Sequence, residues 1–537
     1  MKKEKSDKQF FQGALLITLA GLISKILSAG YRIPLQNITG DVGFYIYQQI
    51  YPFLGMALML GLYGFPSAIS KLVAEQNETD DGQMPLSFYY PIFGLTSLFS
   101  ISLVVAIYYC APFIAQLMGD IQLIDPLRMT ALPFLVIPLV SGLRGIFQGY
   151  NNMLPTASSQ IMEQIVRVGF IIMTAIFIIS NQKSLYMIGS GAALASFLGA
   201  ICASVVLLLF WRKQKRQTTG FETRSIDWKR TVRVILVYGI VISINHMLLL
   251  LFQFADAFTL IPGLLKSDLV LLEAQTWKGI FDRGQPLVQL GIVIGSSLAL
   301  ALLPTITTQR LNSKPDQFYD YIKSSWKFSL YLSAGATAGL IALFPYVNIL
   351  LFKDTSGTVT LQILSITIVL ASLSITTATI LQGLGYVYRT ALFVLIGVGL
   401  KWVLNIYLVP YFGVVGASMA TVTSAAVVFV FNLYQIKKTL PRLKLIDVPW
   451  LRFFLSISGM LTFIFGMNRY GYQLLQVQSR MDHLGFVLVI IIIGALIYLF
   501  LLIQLKAFTE KEIDIIPFGN FISQIMKGEK EKNGRKN

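Results

Sequence analysis

The stretch "QGYNNMLPTA" at residues 148–157 returns as "QGLGYVYRTA" at residues 382–391, an offset of 234, and in both places it separates two apolar runs. Two further pairs follow the same order. "GFPSAIS" at 64–70 resembles "LLPTITT" at 302–308, and "GAALAS" at 191–196 resembles "GASMAT" at 416–421. Three matches at offsets near 230 mark an internal duplication, which carries Arg167 onto Lys401.

The chain has 537 residues, 55% of them hydrophobic and 13% charged, with mean hydropathy +0.68. Soluble domains carry about 25% charged residues, so the composition describes an all-α integral membrane protein. A crossing helix needs about 20 mostly apolar residues. Fourteen segments qualify, near residues 11–33, 43–70, 88–110, 127–150, 160–180, 185–211, 231–254, 279–303, 326–352, 361–383, 389–410, 413–436, 450–467 and 484–505. These are spans 1 to 14. The duplication groups spans 1–6 (residues 11–211) and spans 7–12 (residues 231–437) into two six-helix bundles, joined by a cytoplasmic linker at 212–230. Spans 13 and 14 (residues 450–505) are an appendage, with tails at 1–10 and 506–537. An even number of crossings makes both bundles enter the membrane from one side, related by a pseudo-twofold axis along its normal. Parallel repeats of this kind are a transporter architecture, in which the substrate sits between the halves and the halves rock to alternate access.

A net charge of +17 raises the possibility of nucleic acid, but the distribution of Lys and Arg gives a different reason. With the N-terminus in the cytoplasm, tails and loops on that side hold 30 of the 43 Lys and Arg residues, the opposite loops hold 7, and 6 lie inside helices. This is the positive-inside pattern, with both termini cytoplasmic. The clusters "WRKQKRQ" at 211–217 and "KKTLPRLK" at 437–444 fall on the cytoplasmic side, where they set topology and meet anionic lipid. Between spans 2 and 3, Lys71 stands among Glu75, Glu78, Asp80 and Asp81, but acids count little in this rule. Residues 1–10 read as a tail rather than a secretion signal, since no small-residue cleavage pattern follows. The terminal "KGEKEKNGRKN" reads as a solvated end. Cys110 and Cys202 sit in separate apolar segments and suggest neither disulfide nor metal.

Charges inside the bilayer are costly and therefore candidate sites. The cations are Lys25, Arg32, Arg144, Arg167, Arg283 and Lys401; the acids are Glu163, Asp256 and Asp282. Lys25 and Arg32 are seven residues apart, on one face of span 1, with Ser24, Ser28 and Tyr31 on or beside it. In this topology Lys25, Arg32 and Arg283 fall in the outer half of the membrane. Together they suit an anion with several oxygens, arginine offering a planar fork and lysine a point charge. For Arg32 and Arg283, snorkelling to the headgroups is the alternative, with Asp282 merely pairing with a neighbour. Glu163 and Arg167 at i and i+4 read as an intrahelical pair, and Arg144 as a snorkelling residue near the end of span 4. Lys401, with Asn405 one turn on, needs a partner, which Asn245 or Asp256 of span 7 can supply. His246 reads as a packing residue, a proton relay being the sharper alternative. No phosphate loop, HExxH pair or nucleophile-base set appears, and no loop is long enough for a catalytic domain, so the chain does not read as an enzyme and calls for no cofactor.

"SKILSAGYRIPL" at 24–35, "FDRGQPLVQLG" at 281–291, "LLPTIT" at 302–307 and "LVPYFGVVGASMAT" at 408–421 resemble the multidrug/oligosaccharidyl-lipid/polysaccharide exporter superfamily, most closely its lipid II flippase and SpoVB-like branch. The resemblance covers almost the whole chain and implies a V-shaped pair of bundles around a cationic cavity. It implies a flippase in the bacterial cell membrane that carries an undecaprenyl-pyrophosphate-linked saccharide from the cytoplasmic to the outer leaflet. The polyprenyl tail would stay among membrane lipids, along a groove formed with spans 13 and 14. Cell-wall or sporulation-linked polysaccharide synthesis is the implied setting, and a monomer the implied state. Lys25 and Arg32 stand for the family's span 1 arginine pair and Arg283 for its span 8 cavity arginine; Asp282 would orient the site or pair with Lys25 or Arg32.

Two departures accompany the resemblance. A basic residue that many lipid II flippases carry in span 2 is missing from "YPFLGMALMLGLYGF" at 51–65. Some members bind sodium between spans 7, 11 and 12 with an acid on span 11, whereas the matching positions here are Lys401, Asn405, Ala417 and Thr421. Hard cations want oxygen ligands, so the Lys401 ammonium is expected to replace the ion, leaving proton or membrane potential as the driving force. The rival readings are a multidrug/cation antiporter of the same superfamily, a non-transporting scaffold for cell-wall or spore-envelope synthesis, and a membrane glycan polymerase. The first would use buried acids, the second needs no cavity charge and the third needs large outer loops.

Overall fold

In lipid a backbone has no hydrogen-bond partner but itself, and among the described residues this chain is helical with no strand. The computed structural model describes residues 16–17, 19–77, 88–213, 227–311, 315–443, 447–471, 480–509 and 512. The expected tail at 1–10, most of the linker at 212–230, Glu78, Asp80, Asp81 and everything from 513 on lie outside the described residues.

In chain order the helices are α1 (19–30), α2 (Arg32–Met59), α3 (Phe65–Asn77), α4 (Tyr89–Leu117), α5 (Ile124–Met129), α6 (Leu132–Gly149), α7 (Leu154–Ser180), α8 (Met187–Lys213), α9 (Trp228–Val232), α10 (Gly239–His246), α11 (Leu248–Leu265), α12 (Leu271–Asp282), α13 (Gly284–Leu311), α14 (Pro315–Phe352), α15 (Thr358–Ser365), α16 (Thr367–Gly383), α17 (Val387–Thr439), α18 (Trp450–Gly466) and α19 (Arg480–Gln504). Single π-helical stretches lie at Leu60–Gly64, Arg233–Tyr238 and Met467–Gly471.

Eleven stretches of described helix are long and apolar enough to cross a membrane. The chain is a multi-pass membrane protein. The two longest stretches, Leu19–Gln76 with 58 residues and Val387–Thr439 with 53, hold about 80–90 Å of helix at 1.5 Å per residue, against a hydrocarbon core of about 30 Å. Each is interrupted once by a glycine with positive φ, Gly40 at 69° and Gly413 at 56°, a backbone that a side chain would strain. The connection expected at residues 34–42 is therefore much shorter. Its polar residues stay helical because their side chains bond back one turn, Asn37 Nδ2 to the Ile33 carbonyl at 3.0 Å and Thr39 Oγ1 to that of Leu35 at 2.9 Å.

The seventh and eighth spans also differ from expectation. Helix runs on to Leu265, with a kink at Met247 where α10 gives way to α11. The eighth begins at Leu271, not 279, as α12; a turn at Arg283 then leads into α13. Arg283 and Asp282 thus stand at a junction between two helices.

The chain divides into two compact units: Met1–Leu290 with Val359–Leu364 and Tyr386–Val428, and Gly291–Thr358 with Ser365–Gly385 and Phe429–Asn537. In the first, Val140, Leu143 and Phe147 of α6 interlock with Ala203 and Leu207 of α8, spacings that put each set on one helix face. In the second, the segment after α19 folds onto α14: Lys327 pairs with Glu512 at 2.6 Å, Tyr331 donates to the Ala507 carbonyl, and Phe328 stacks on Phe508. Every charge singled out inside the expected spans belongs to the first unit.

Candidate functional site

Arg283, at the α12–α13 junction, is 1% exposed and grips Asp41, the residue after the Gly40 break. Nε reaches Oδ1 at 2.8 Å and Nη2 reaches Oδ2 at 2.6 Å, the bidentate geometry that suits guanidinium and carboxylate. Gln36 adds a bond to Asp41 Oδ1 at 2.9 Å. The two backbones touch here, since a Cβ on Gly279 would overlap the Asp41 carbonyl. Of the roles open to Asp282, the structure shows the pairing with a neighbour rather than with Lys25 or Arg32: it accepts from Lys278 at 2.6 Å, one turn back on α12. Both are buried, and adjacent helical residues diverge by about 100°, so Asp282 faces Lys278 while Arg283 faces Asp41.

Asp120, before α5, is a second anchor for α12. Its Oδ2 accepts from Tyr45 at 3.0 Å, Tyr186 at 2.7 Å and Gln275 at 2.9 Å, and Oδ1 accepts from the Gln122 amide at 3.1 Å. The carboxylate, 1% exposed, thereby joins α2, α8's leading turn and α12 through neutral donors. Burial, reinforced by Asp120, pushes the Tyr186 phenol above its ordinary value and keeps it a donor.

On the first span, Arg32 is fully buried with its guanidinium 4.1 Å over the Tyr51 ring. Nε, Nη1 and Nη2 have no hydrogen-bond partner, and the neighbouring Tyr31 and Tyr47 hydroxyls bond each other. Lys25 and Ser28 are half-buried, and Lys25 makes no ion pair among the described residues. His246 stacks on Tyr63, ring centroids 4.4 Å apart, as a packing residue does.

Arg144, expected to snorkel, is 1% exposed and paired. Glu163 accepts from Arg144 Nη2 through Oε2 and from Arg167 Nη2 through Oε1, both at 2.9 Å. Arg144 also bonds Ser159 Oγ at 3.0 Å and the Gly61 carbonyl at 3.2 Å. That carbonyl lies in the π-helical stretch Leu60–Gly64, where the regular i to i+4 ladder is broken and carbonyls are freed. One ion pair and two neutral acceptors hold Arg144 inside more firmly than the headgroups could draw it out.

Lys401 of α17 meets Asp256 of α11 at 2.6 Å, both buried. Asn405 Nδ2 bridges Asp256 Oδ1 at 3.0 Å and Thr259 Oγ1 at 2.8 Å. Asn245, the other candidate partner, bonds the carbonyls of Val241 and Val387. Among the described residues no three His, Cys, Asp or Glu side chains converge as metal ligands would.

Asp41, Lys278 and Asp120 were missed from the sequence. Lys278 is legible afterwards as the i−4 partner of Asp282. Asp41 and Asp120 lay in expected connections, where nothing local distinguishes a network carboxylate from a solvated one.

The sequence of the polysaccharide biosynthesis protein family matches residues 10–310. An "Uncharacterized membrane protein YabM" of Bacillus subtilis (strain 168) is 40% identical over 539 residues, covering 98% of each chain. This chain belongs to the polysaccharide biosynthesis protein family. Within the wider exporter superfamily it falls in the branch of the lipid II flippase and stage V sporulation protein B. "Lipid II flippase MurJ" of the same Bacillus strain is 25% identical over 80% of this chain and 83% of its own. A solved structure, "Lipid II flippase MurJ, inward closed conformation", matches with TM-score 0.67 at 15% identity over 92% of this chain and 99% of that one. At that identity the likeness is one of fold.

Proposed function

We propose that this family member is a flippase that moves an undecaprenyl-pyrophosphate-linked saccharide across the bacterial cell membrane by alternating access. The observation that carries it is Arg32: a buried guanidinium whose three nitrogens lack partners, seven residues from the unpaired Lys25. A buried cation without an acid is expensive, and a phosphate ester supplies the missing charge and the acceptor oxygens. The site is centred on Lys25 and Arg32, with Ser28 between them. Arg283 is already neutralised by Asp41 and joins only when that pair opens; Asp282 acts on Lys278.

The fold supports this reading. Counting the stretches broken at Gly40 and Gly413 as two crossings each, and adding α13, is compatible with fourteen spans, an even number that keeps both termini on one side, which the Lys and Arg distribution favours as the cytoplasm. The turns at Ala131 and Ile366, and the connections after Gly149 and Gly383, recur near the offset of 234, as two parallel six-helix repeats require.

Energy coupling follows from α11 and α17. The Lys401 ammonium supplies the positive charge on Asp256 Oδ2, the buried carboxylate that a hard cation would need here. Transport is therefore sodium-independent and driven by protons or membrane potential, with Glu163 and Arg167 a fixed pair in α7.

The deciding experiment is native mass spectrometry of the purified protein with lipid II and undecaprenyl pyrophosphate, comparing wild type with Lys25→Ala and Arg32→Gln. Binding lost in both variants supports the reading. Binding indifferent to both cations refutes the pyrophosphate assignment.

A further inference from the structure

Arg144, Glu163 and Arg167 make a buried group of two cations and one anion. Both oxygens of Glu163 are used, one by each arginine, and Arg144 is completed by Ser159 and Gly61. The surplus positive charge therefore sits on Arg167, whose Nε is buried without a partner.

Beside the three lies a cavity of about 30 Å³ between α2, α6, α7 and α8, walled by apolar side chains such as Leu54, Ile137 and Val140. A water needs roughly 10–15 Å³ by this measure. The space takes two or three particles of that size and is too small for a pyrophosphate.

We propose that this cavity holds a small monovalent anion of chloride size, bound against Arg167. Water would satisfy the stray Nε, but only an anion cancels the charge; the Ser196 hydroxyl that also lines the space is neutral and already donates to the Ala192 carbonyl. The ion is a fixed structural part of the α2, α6, α7 and α8 packing, separate from the Lys25 and Arg32 site and independent of what the protein transports.

The test is thermal unfolding of the purified full chain in sodium chloride and sodium gluconate at equal ionic strength, with a bromide-soaked crystal as second readout. Chloride is expected to raise the wild-type Tm by roughly 1–3 °C. Arg167→Gln removes the surplus charge and should abolish that increment, whereas Glu163→Gln raises the surplus and should enlarge it. Anomalous bromide density beside Arg167 supports the site even if one variant fails to fold. Equal Tm in both salts, an increment that survives in Arg167→Gln, or bromide found only elsewhere overturns it.

Discussion

Arg283 and Asp41 are 242 positions apart in sequence and are joined by two hydrogen bonds, from Nε at 2.8 Å and Nη2 at 2.6 Å. The pair ties α12 and the α13 start to the Gly40 break in α2. Removing one partner of a buried pair costs about 3–5 kcal/mol because the other is stranded, while an apolar replacement of both is often neutral. Asp41→Leu should sit at the low end, since Asp41 keeps 18% exposure, and Asp41→Leu with Arg283→Met should recover most of the loss. Thermal unfolding of the four proteins in detergent measures the cycle.

Arg144→Leu should be among the more damaging single changes in the first unit, about 3–5 kcal/mol, because it strands half of Glu163 and the acceptors at Ser159 and Gly61. A headgroup-facing arginine would cost within about 0.5 kcal/mol. Denaturation midpoints of Arg144→Leu and of an exposed control, Arg212→Leu, tell the two apart.

Lys401→Ala should convert an ammonium site into an ion site. It leaves Asp256 Oδ2 unpaired and uncompensated, next to the residue whose Oδ1 is already unpaired, Asn405, and oxygen donors of this kind are the ligand chemistry of a hard cation. Sodium is expected to raise the Tm of Lys401→Ala and to leave wild type unchanged. A wild-type protein stabilised by sodium to the same degree would count against the ammonium substitution.

Asp120→Asn turns one of two acceptor oxygens into a donor facing other donors. With Tyr45, Tyr186 and Gln275 all directed at Oδ2, at least one buried group goes unpaired, a cost of about 1–3 kcal/mol. Hydrogen exchange of α12 amides should quicken in Asp120→Asn and stay near wild type in Gln122→Ala, which keeps the backbone amide donor.

The site was partly legible in the sequence. Charges in apolar runs announce themselves, so Lys25, Arg32, Glu163, Arg167, Asp256 and Lys401 stood out before any fold was known, and i, i+4 spacing gave the Glu163–Arg167 contact. Partnership over long separation did not: Asp41 for Arg283, Asp120 for Gln275 and Arg144 for Glu163 depend on which helix faces meet. The expected role of Arg283 as the open phosphate holder shifted toward Arg32 for that reason.

By itself the sequence determined that the chain is an all-helical, multi-pass membrane protein, because bilayer thickness and unsatisfied backbone groups leave apolar runs of this length one solution. It also carried the three matched segments that read as a duplication, and the inventory of charges within apolar runs. Only the tertiary structure decided which charges are cancelled. Neutralisation requires contact within about 3 Å, and contact between distant segments is set by the packing of whole helices, by breaks such as Gly40 and Gly413, and by the freed carbonyl at Gly61, none of which a local pattern specifies. The fold pairs Arg283, Arg144 and Lys401 with acids and, among the described residues, leaves Arg32 with an aromatic ring but no acid.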